Sequence, residues 1–198
     1  MVAICGLTAL QGLRDHGRVE PGQKALIIGA SGGVGTYAVQ LAKAFGAHVT
    51  GVCSTKKVEM VRSIGADHII DYTQEDFAEG DQRYDLILDI GGNSSLARLR
   101  RALTPRGTLV IVGGETDGRW LGGTDRQLRA LMLSRFVGQK LGTFVSSENH
   151  EDMIVLKDLI ESGKLTPVID RTYPLSEVPE AIRYLEQGHA RGKVLITV

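Results

Sequence analysis

The sequence has 198 residues, a length typical of one domain, and its 42% of hydrophobic and 23% of charged residues favour a packed core over disorder. Its formal net charge is zero, so we expect no nucleic acid and no membrane as a partner, and no apolar run approaches the ~20 residues that span a bilayer. Two cysteines, Cys5 and Cys53, are too few for a disulfide framework, and we expect free thiols in a cytoplasmic protein.

Short apolar runs alternate with helical patterns along the chain. Apolar residues at helical spacing predict a first helix over residues 3–16. The apolar run ALIIG (25–29) predicts a central strand buried on both faces, and the helix after it ends at Gly46. The same reasoning then predicts strands over 48–53, 68–72, 84–90, 108–114, 140–146, 168–173 and 193–198, and a turn at 105–107. It predicts helices over 57–66, 95–103, 125–135, 150–163 and 177–188. Ser147 or Asn149 could cap the helix over 150–163.

This alternation predicts an α/β fold with right-handed crossovers between parallel strands. Six strands in two halves indicate a doubly wound parallel six-stranded sheet in the order 3-2-1-4-5-6. In such a sheet the ligand crevice lies at the carboxyl ends of strands one and four, and the glycines of GASGGVG (29–35) and DIGG (89–92) both fall there.

The turn after the first strand carries four glycines, Gly29, Gly32, Gly33 and Gly35. Without Cβ atoms the backbone can turn sharply and let a diphosphate approach the free N–H groups at the start of the next helix. The strand–turn–helix context predicts a dinucleotide site, and the missing Gly-Lys-Ser/Thr excludes a P-loop. The alternative is a tight turn that holds no ligand.

The end of the second strand bears on the choice of dinucleotide. A carboxylate about 20 residues past the turn usually holds a ribose 2′-hydroxyl, but Ser54, Thr55, Lys56 and Lys57 stand there instead. Hydroxyl and ammonium groups suit a 2′-phosphate, and Tyr72 can add a second hydroxyl. The charges therefore favour NADP(H) over NAD(H), although Lys56 and Lys57 could also be a solvated helix start.

Several motifs together resemble the medium-chain dehydrogenase/reductase superfamily, and within it the zinc-independent, zeta-crystallin-like quinone oxidoreductases. They are GLTALQGL, GASGGVG, AKAFGAHV, DYTQEDF and LTPRGTLVIVGG. The resemblance implies that the turn takes the diphosphate, that Ser54, Lys57 and Tyr72 take the 2′-phosphate, and that Thr8 lies near the nicotinamide. The candidate cofactor-binding residues are Thr8, Gly29, Ser31, Gly32, Gly33, Val34, Gly35, Ser54, Thr55, Lys57, Tyr72, Gly92 and Gly113.

No metal ligand or catalytic residue emerges from the sequence. Zinc-dependent relatives place a cysteine in the first helix at the position of Ile4, and Cys5, one residue later, would point about 100° away. No general acid stands out either. We expect Tyr37 on a helix surface, Asp89 at the end of a strand and Lys193 in a turn.

The resemblance also implies a partner domain. Relatives carry a GroES-like catalytic domain before the segment that this chain matches, so residues 1–167 would be the Rossmann domain and residues 168–198 the segment that returns to the catalytic one. The implied reaction moves hydride from NADPH to a small electrophile, a quinone or an α,β-unsaturated carbonyl, and half of a cleft would catalyse it poorly. A loop around Trp120 could close over the nicotinamide, and the edge strand near residues 139–145 would pair two chains as a homodimer.

Two other functions stay open at this point. One is an enoyl reductase module of a polyketide or fatty acid synthase. The other is an NADPH-binding sensor or scaffold that has no catalytic half.

Overall fold

Eight strands and seven helices stand out in the part of the chain that the computed structural model describes, residues 2–92, 94–112, 124–134, 137–188 and 190–198. The strands are β1 (Lys24–Ile28), β2 (His48–Cys53), β3 (His68–Asp71), β4 (Tyr84–Asp89), β5 (Leu103–Ile111), β6 (Lys140–Thr143), β7 (Ile169–Pro174) and β8 (Lys193–Thr197). The helices are α1 (Val2–Gln11), α2 (Gly35–Ala44), α3 (Val58–Ser63), α4 (Leu96–Ala102), α5 (Thr124–Ser134), α6 (His150–Glu161) and α7 (Val178–Glu186). None of these described helices is long and apolar enough to cross a membrane.

The first six strands form one parallel sheet in the order β3-β2-β1-β4-β5-β6, which confirms the predicted topology. Successive residues of β1 point to opposite faces, so each face of the sheet receives apolar side chains. Ile27 packs in one buried cluster with Leu10 of α1 and Leu41 of α2. Leu26 packs in a second cluster with Leu99 of α4. Helices thus cover both faces, as the continuous apolar run in β1 requires.

Side-chain caps define two helix starts. Ser95 precedes α4 and its hydroxyl oxygen accepts a hydrogen bond from the backbone N–H of Arg98. Asn149 precedes α6 and its amide oxygen accepts from the N–H of Asp152 at 2.8 Å. Of the two predicted caps for α6, Asn149 is therefore the one used, while the N–H of Ser147 donates to Gln11.

Two local predictions were wrong in detail. The predicted turn at 105–107 lies inside β5, where Tyr84 pairs with Leu103 but Leu86 pairs with Thr108. Residues 104–107 of β5 thus lie opposite the single residue Asp85 of β4. The extra residues form a β-bulge. The predicted helix over 3–16 ends as α1 at Gln11 and continues as a π-helical turn, Gly12–His16, because the N–H of Gly17 reaches back to the carbonyl of Gly12 at 2.8 Å.

The tail forms the predicted strand, helix and strand. β7 and β8 pair in parallel as a separate two-stranded sheet, with α7 between them in the chain. The side-chain amide of Gln40 on α2 holds the approach to this unit: it donates to the carbonyl of Thr166 at 3.0 Å and accepts from the N–H of Thr166 at 2.8 Å. The division of the chain at residue 167 stays a prediction.

Candidate functional site

A cleft of about 800 Å³ opens at the carboxyl ends of the central strands. It lies where the strand order reverses, with β1 between β2 and β4, which is the usual ligand position in doubly wound sheets. Its described lining comprises Ile28, Gly29, Ser31, Gly32, Val52, Cys53, Ser54, Lys57, Tyr72, Thr73, Gln74, Glu75, Asp76, Phe77, Glu79, Ile90, Gly91, Ser94 and Arg98. Six of the residues predicted from the sequence are therefore brought together here: Gly29, Ser31, Gly32, Ser54, Lys57 and Tyr72.

The glycine turn forms one wall of the cleft, and its shape excludes larger residues at two positions. Gly29 has φ +85°, a backbone conformation that other residues rarely adopt. A Cβ on Gly35 would lie 2.1 Å from the carbonyl oxygen of Gly29 and 2.8 Å from the Cα of Ala30. Helix α2 can start this close to β1 only because Gly35 lacks a side chain.

The start of α2 leaves backbone donors available. Val34 occupies the position before the helix and provides no side-chain cap. Among the described residues, no protein acceptor receives the N–H groups of Gly33 and Val34. Unpaired N–H groups at the positive end of a helix dipole are suited to bind an anion.

Lys57 lines the cleft from the turn after β2. Its ammonium donates to the carbonyl of Ala190 at 3.0 Å and to that of Gly188 at 3.4 Å. An ammonium has three donors, so one remains for a ligand. Tyr72 is 63% exposed, and Ser54 follows β2 directly. Two residues with hydroxyl groups and one with a cation thus line the same cleft.

The carboxylate at the end of β3 is already engaged. Asp71 accepts hydrogen bonds from the N–H of Thr73 at 3.0 Å and from its hydroxyl at 2.8 Å. Hydrogen bonds from Thr55 and Thr73 hold the pKa of Asp71 below its usual value. Asp71 does not line the cleft. It links the loops after β2 and β3 through Thr55 and Thr73. That Thr55 also touches the cofactor stays a prediction.

The other predicted cofactor residues lie outside the lining. The hydroxyl of Thr8 on α1 donates to the carbonyl of Ile4 at 2.7 Å and also contacts Ser146. Gly92 has φ +75°, and its N–H donates to Asp89. Gly33, Val34 and Gly35 continue the same turn into α2 but are not among the lining residues. Gly113 and Trp120 lie outside the described residues. That these positions bind a cofactor stays a prediction.

Three of the lining residues that were not predicted contact one another: Asp76, Phe77 and Arg98. The guanidinium of Arg98 lies 5.4 Å from the centre of the Phe77 ring, and its ion pair with Asp76 measures 2.7 Å. Arg98 is in the first turns of α4, the helix that follows β4. Because β4 ends at the crevice, the strand order alone could have predicted that an early residue of this helix lines it.

Two further assignments need correction. Tyr37 is 1% exposed and belongs to the core, not to a helix surface. Burial raises the pKa of its hydroxyl. Lys193 is the first residue of β8 rather than part of a turn, and its ammonium contacts the thiol of Cys5.

The described residues do not offer a metal site. Within them, no group of three or more His, Cys, Asp or Glu side chains could hold a metal ion. Ile4 stands where zinc-dependent relatives are expected to have a cysteine, and Cys5 is engaged with Lys193.

Comparison with known proteins gives the same picture of the fold. A family model described as "zinc-binding dehydrogenase" matches residues 64–196. The mouse (Mus musculus) protein "NAD(P)H oxidoreductase RTN4IP1, mitochondrial" is 40% identical over 193 residues, covering 89% of this chain and 48% of its own length. The chain spans about half the length of the curated relatives it matches.

Solved structures agree with these sequence matches. The quinone oxidoreductase from Coxiella burnetii superposes with a TM-score of 0.84 at 30% identity, over 98% of this chain and 58% of that one. The CurK enoyl reductase superposes with a TM-score of 0.80 at 27% identity, over 98% of this chain and 59% of that one. In each case the matching region is the part of the larger protein that has the doubly wound sheet described above.

Proposed function

Because this chain belongs to the zinc-binding dehydrogenase family of the medium-chain dehydrogenase/reductases, we propose that it is the NADPH-binding domain of an oxidoreductase that reduces a quinone or an α,β-unsaturated carbonyl. The relatives named as NAD(P)H and quinone oxidoreductases support the reaction class. The preference for NADPH and the identity of the acceptor are our inference.

The observation that carries this proposal is that the glycine turn and the polar groups of Ser54, Lys57 and Tyr72 line one cleft. The turn tolerates no Cβ at Gly35 and presents unpaired N–H groups at Gly33 and Val34. These features fit a diphosphate, which needs close backbone approach and several donors. The cleft volume of about 800 Å³ lies within the range of small-molecule sites.

The preference for NADPH rests on charge. Ser54 and Lys57 occupy the end of β2, where NAD-binding proteins usually place a carboxylate. The remaining donor of Lys57 would form a charge-assisted hydrogen bond with a 2′-phosphate, and such bonds contribute about 1.5–3 kcal/mol. The carbonyls of Gly188 and Ala190 fix the direction of the ammonium, so less side-chain entropy is lost on binding.

In this proposal the residues of the chain bind and orient. The turn amides hold the diphosphate, the hydroxyls and ammonium at the end of β2 hold the adenosine end, and apolar Ile28 and Ile90 exclude water from the cleft. The bound nicotinamide would supply the hydride. The residues that receive the acceptor would come from a second domain, as in the longer relatives, since hydride transfer needs both partners held at near-attack distance.

Calorimetry with NADPH and NADH in parallel tests the proposal. We expect the chain to bind NADPH more tightly, and Lys57→Met to lower the NADPH affinity by roughly tenfold or more while leaving NADH within about twofold. Lys56→Met is the matched control, because Lys56 is exposed and does not line the cleft. Tighter binding of NADH by the wild-type chain would contradict the assignment of Ser54, Lys57 and Tyr72.

A second candidate is an enoyl reductase module, which the superposition on the CurK enoyl reductase favours. The two candidates share the cofactor site and differ in the acceptor. Assaying NADPH oxidation by the full-length protein with a 2-enoyl thioester and with a quinone separates them, because an enoyl reductase turns over the thioester with higher kcat/KM.

A further inference from the structure

A thiol and an amine that are far apart in the sequence meet beside the glycine turn. The Nζ of Lys193, at the start of β8, lies 2.5 Å from the Sγ of Cys5 on α1, 188 positions away in the chain. Both atoms also lie against the turn, because a Cβ built on Gly33 would be 3.0 Å from the Nζ and 3.5 Å from the Sγ. The packing of three separate segments therefore holds the two atoms together.

The separation between these two atoms is shorter than a hydrogen bond and longer than a direct bond. N–H···O hydrogen bonds measure about 2.7–3.2 Å between heavy atoms, and sulfur is larger than oxygen. A direct bond would be shorter than the ~2.05 Å of a disulfide, because nitrogen is smaller than sulfur. Two single bonds that meet at a near-tetrahedral atom span about 2.5 Å, as N–Cα–C does in the backbone. The Sγ and the Nζ are therefore spaced to share one bridging atom.

The two side chains engage only each other within the part of the chain that the structure describes. No carboxylate there lies within 4.0 Å of Lys193 Nζ, and the Sγ of Cys5 forms no other hydrogen bond. Both residues are half-buried, so a small dissolved molecule can reach them although most of their surface is covered. The pair thus brings a nucleophilic sulfur and a nucleophilic nitrogen to one accessible point.

The second cysteine of the chain offers an internal comparison. Cys53 is 2% exposed, and burial raises the pKa of its thiol to about 11. The thiolate is the form of cysteine that reacts with oxidants. Cys53 should therefore stay reduced under conditions that modify Cys5.

We propose that Cys5 and Lys193 become covalently linked through one oxygen atom, with molecular oxygen as the reactant. The ammonium of Lys193 first releases one proton to the solvent. The S–H bond of Cys5, one N–H bond of the neutral amine and the O–O bond then break, while an S–O and an N–O bond form. The second oxygen atom leaves as water. Sulfur and nitrogen each give up two electrons, and the oxygen molecule takes up all four.

The link would join the first helix to the last strand across the glycine turn. It would close a loop over residues 5–193, nearly the whole chain, and so restrict the unfolded state. Two equivalents of a dithiol would reverse it, because four electrons and four protons restore the thiol and the amine and release the bridging oxygen as water. The link would form whether or not the chain binds a coenzyme, so it goes beyond the proposed function.

Peptide mass spectrometry tests the link in the chain after incubation in air-saturated buffer and digestion without reductant. We expect the peptides that contain Cys5 and Lys193 to be joined, with a mass above their sum by one oxygen atom less two hydrogen atoms. Dithiothreitol should separate them, and the linked chain should unfold roughly 5 °C or more above the reduced chain. Cys5→Ser and Lys193→Met should abolish the joined peptide. The matched controls, Cys53→Ser and Lys164→Met at an exposed position, should retain it.

Three results would overturn this inference. Separate, unmodified peptides after exposure to air would show that the two side chains do not react with oxygen. A joined peptide lighter than the sum by two hydrogen atoms would show a direct S–N bond with no bridging atom. An oxidised Cys5 peptide beside an unmodified Lys193 peptide would place the reaction at the thiol alone. Each of these results comes from the wild-type chain, so none depends on whether a variant folds.

Discussion

At the scale of single residues, two glycines of the same turn are required for different reasons. A Cβ on Gly35 would penetrate the backbone at Gly29 and Ala30, whereas a Cβ on Gly32 would lie 3.5 Å from the Gly29 oxygen, an ordinary contact. Gly32 lines the cleft and Gly35 does not. The fold therefore requires glycine at position 35. We infer that glycine at position 32 is required by the ligand, which would approach the backbone there.

Alanine at each position separates the two requirements. Gly35→Ala should lower the free energy of unfolding by about 3 kcal/mol, because backbone atoms cannot give way as a flexible side chain would. Gly32→Ala should leave it within about 0.5 kcal/mol but weaken NADPH binding, since its methyl group would stand where the diphosphate approaches the backbone. Urea denaturation and calorimetry measure the two effects. Equal loss of stability in both variants would contradict this distinction.

At the scale of elements, a buried carboxylate joins α6 to α1. Asp152 is 4% exposed. It accepts hydrogen bonds from the side-chain amides of Gln11 and Asn149 at 2.8 Å each, and forms an ion pair with Arg14 at 2.7 Å. Burial alone would raise the pKa of Asp152, but the hydrogen bonds from Arg14, Gln11 and Asn149 outweigh it and lower the pKa to about 2.

This carboxylate makes stability depend on pH in a predictable window. The pKa of Asp152 is about 2 in the folded chain and about 3.9 in an unfolded one. Its stabilisation is therefore fully present above about pH 5 and is lost as the pH falls toward 2. Asp152→Asn should lower the free energy of unfolding by about 2 kcal/mol at pH 7, and the difference from wild type should shrink at pH 3.

The control for this measurement is Asp158→Asn, an exposed carboxylate on the same helix. It should leave the unfolding free energy at pH 7 within about 0.5 kcal/mol. A pH profile of Asp152→Asn that runs parallel to wild type between pH 5 and 3 would show that Asp152 does not carry the dependence.

Local patterns predicted the elements well where local interactions determine them. The apolar run in β1 and the glycine turn after it are short-range signals, and the strand order followed from their repetition. The burial of Tyr37 was missed because every residue from Gly35 to Ala42 is buried, and helical periodicity cannot distinguish a core face when a helix is covered all round. The sequence predicted a turn at 105–107, where the structure has a bulge inside β5. Whether such a turn interrupts a strand depends on pairing with β4, which local sequence does not reveal.

Side-chain partners that are distant in sequence account for the rest. Ser54, Lys57 and Tyr72 were predicted together because hydroxyl and ammonium groups stand where a carboxylate is usual and because the family resemblance implies them. The carbonyls that hold Lys57 belong to Gly188 and Ala190, 131 and 133 residues away. No spacing rule connects positions so far apart, so the sequence could suggest the cation but not the contacts that orient it.

At the scale of the whole molecule, β6 is an edge strand. In the described sheet it pairs with β5 on one side only, and exposed edges invite pairing with a second chain. We expect the chain to sediment as a homodimer of twice its 21.4 kDa mass. Nothing lies within 4 Å of a Cβ built on Gly142 in β6, so the monomer can accept a larger side chain there.

A charged side chain at this edge should therefore separate the two chains without unfolding them. Gly142→Lys should sediment as a monomer with an unchanged unfolding midpoint, because lysine on an edge strand opposes further pairing. Gly142→Ala is the control and should stay dimeric. A wild-type chain that sediments only as a monomer at all concentrations would end this prediction.

The contact between Cys5 and Lys193 has a consequence for biosynthesis. The two residues are 188 positions apart, and a ribosome adds about 5–20 residues per second, so roughly 10–40 s pass between their translation. During that interval Cys5 and the glycine turn lack Lys193, whose ammonium lies against both in the folded chain. We therefore expect the start of α1 and the glycine turn to reach their final packing only after β8 has been translated.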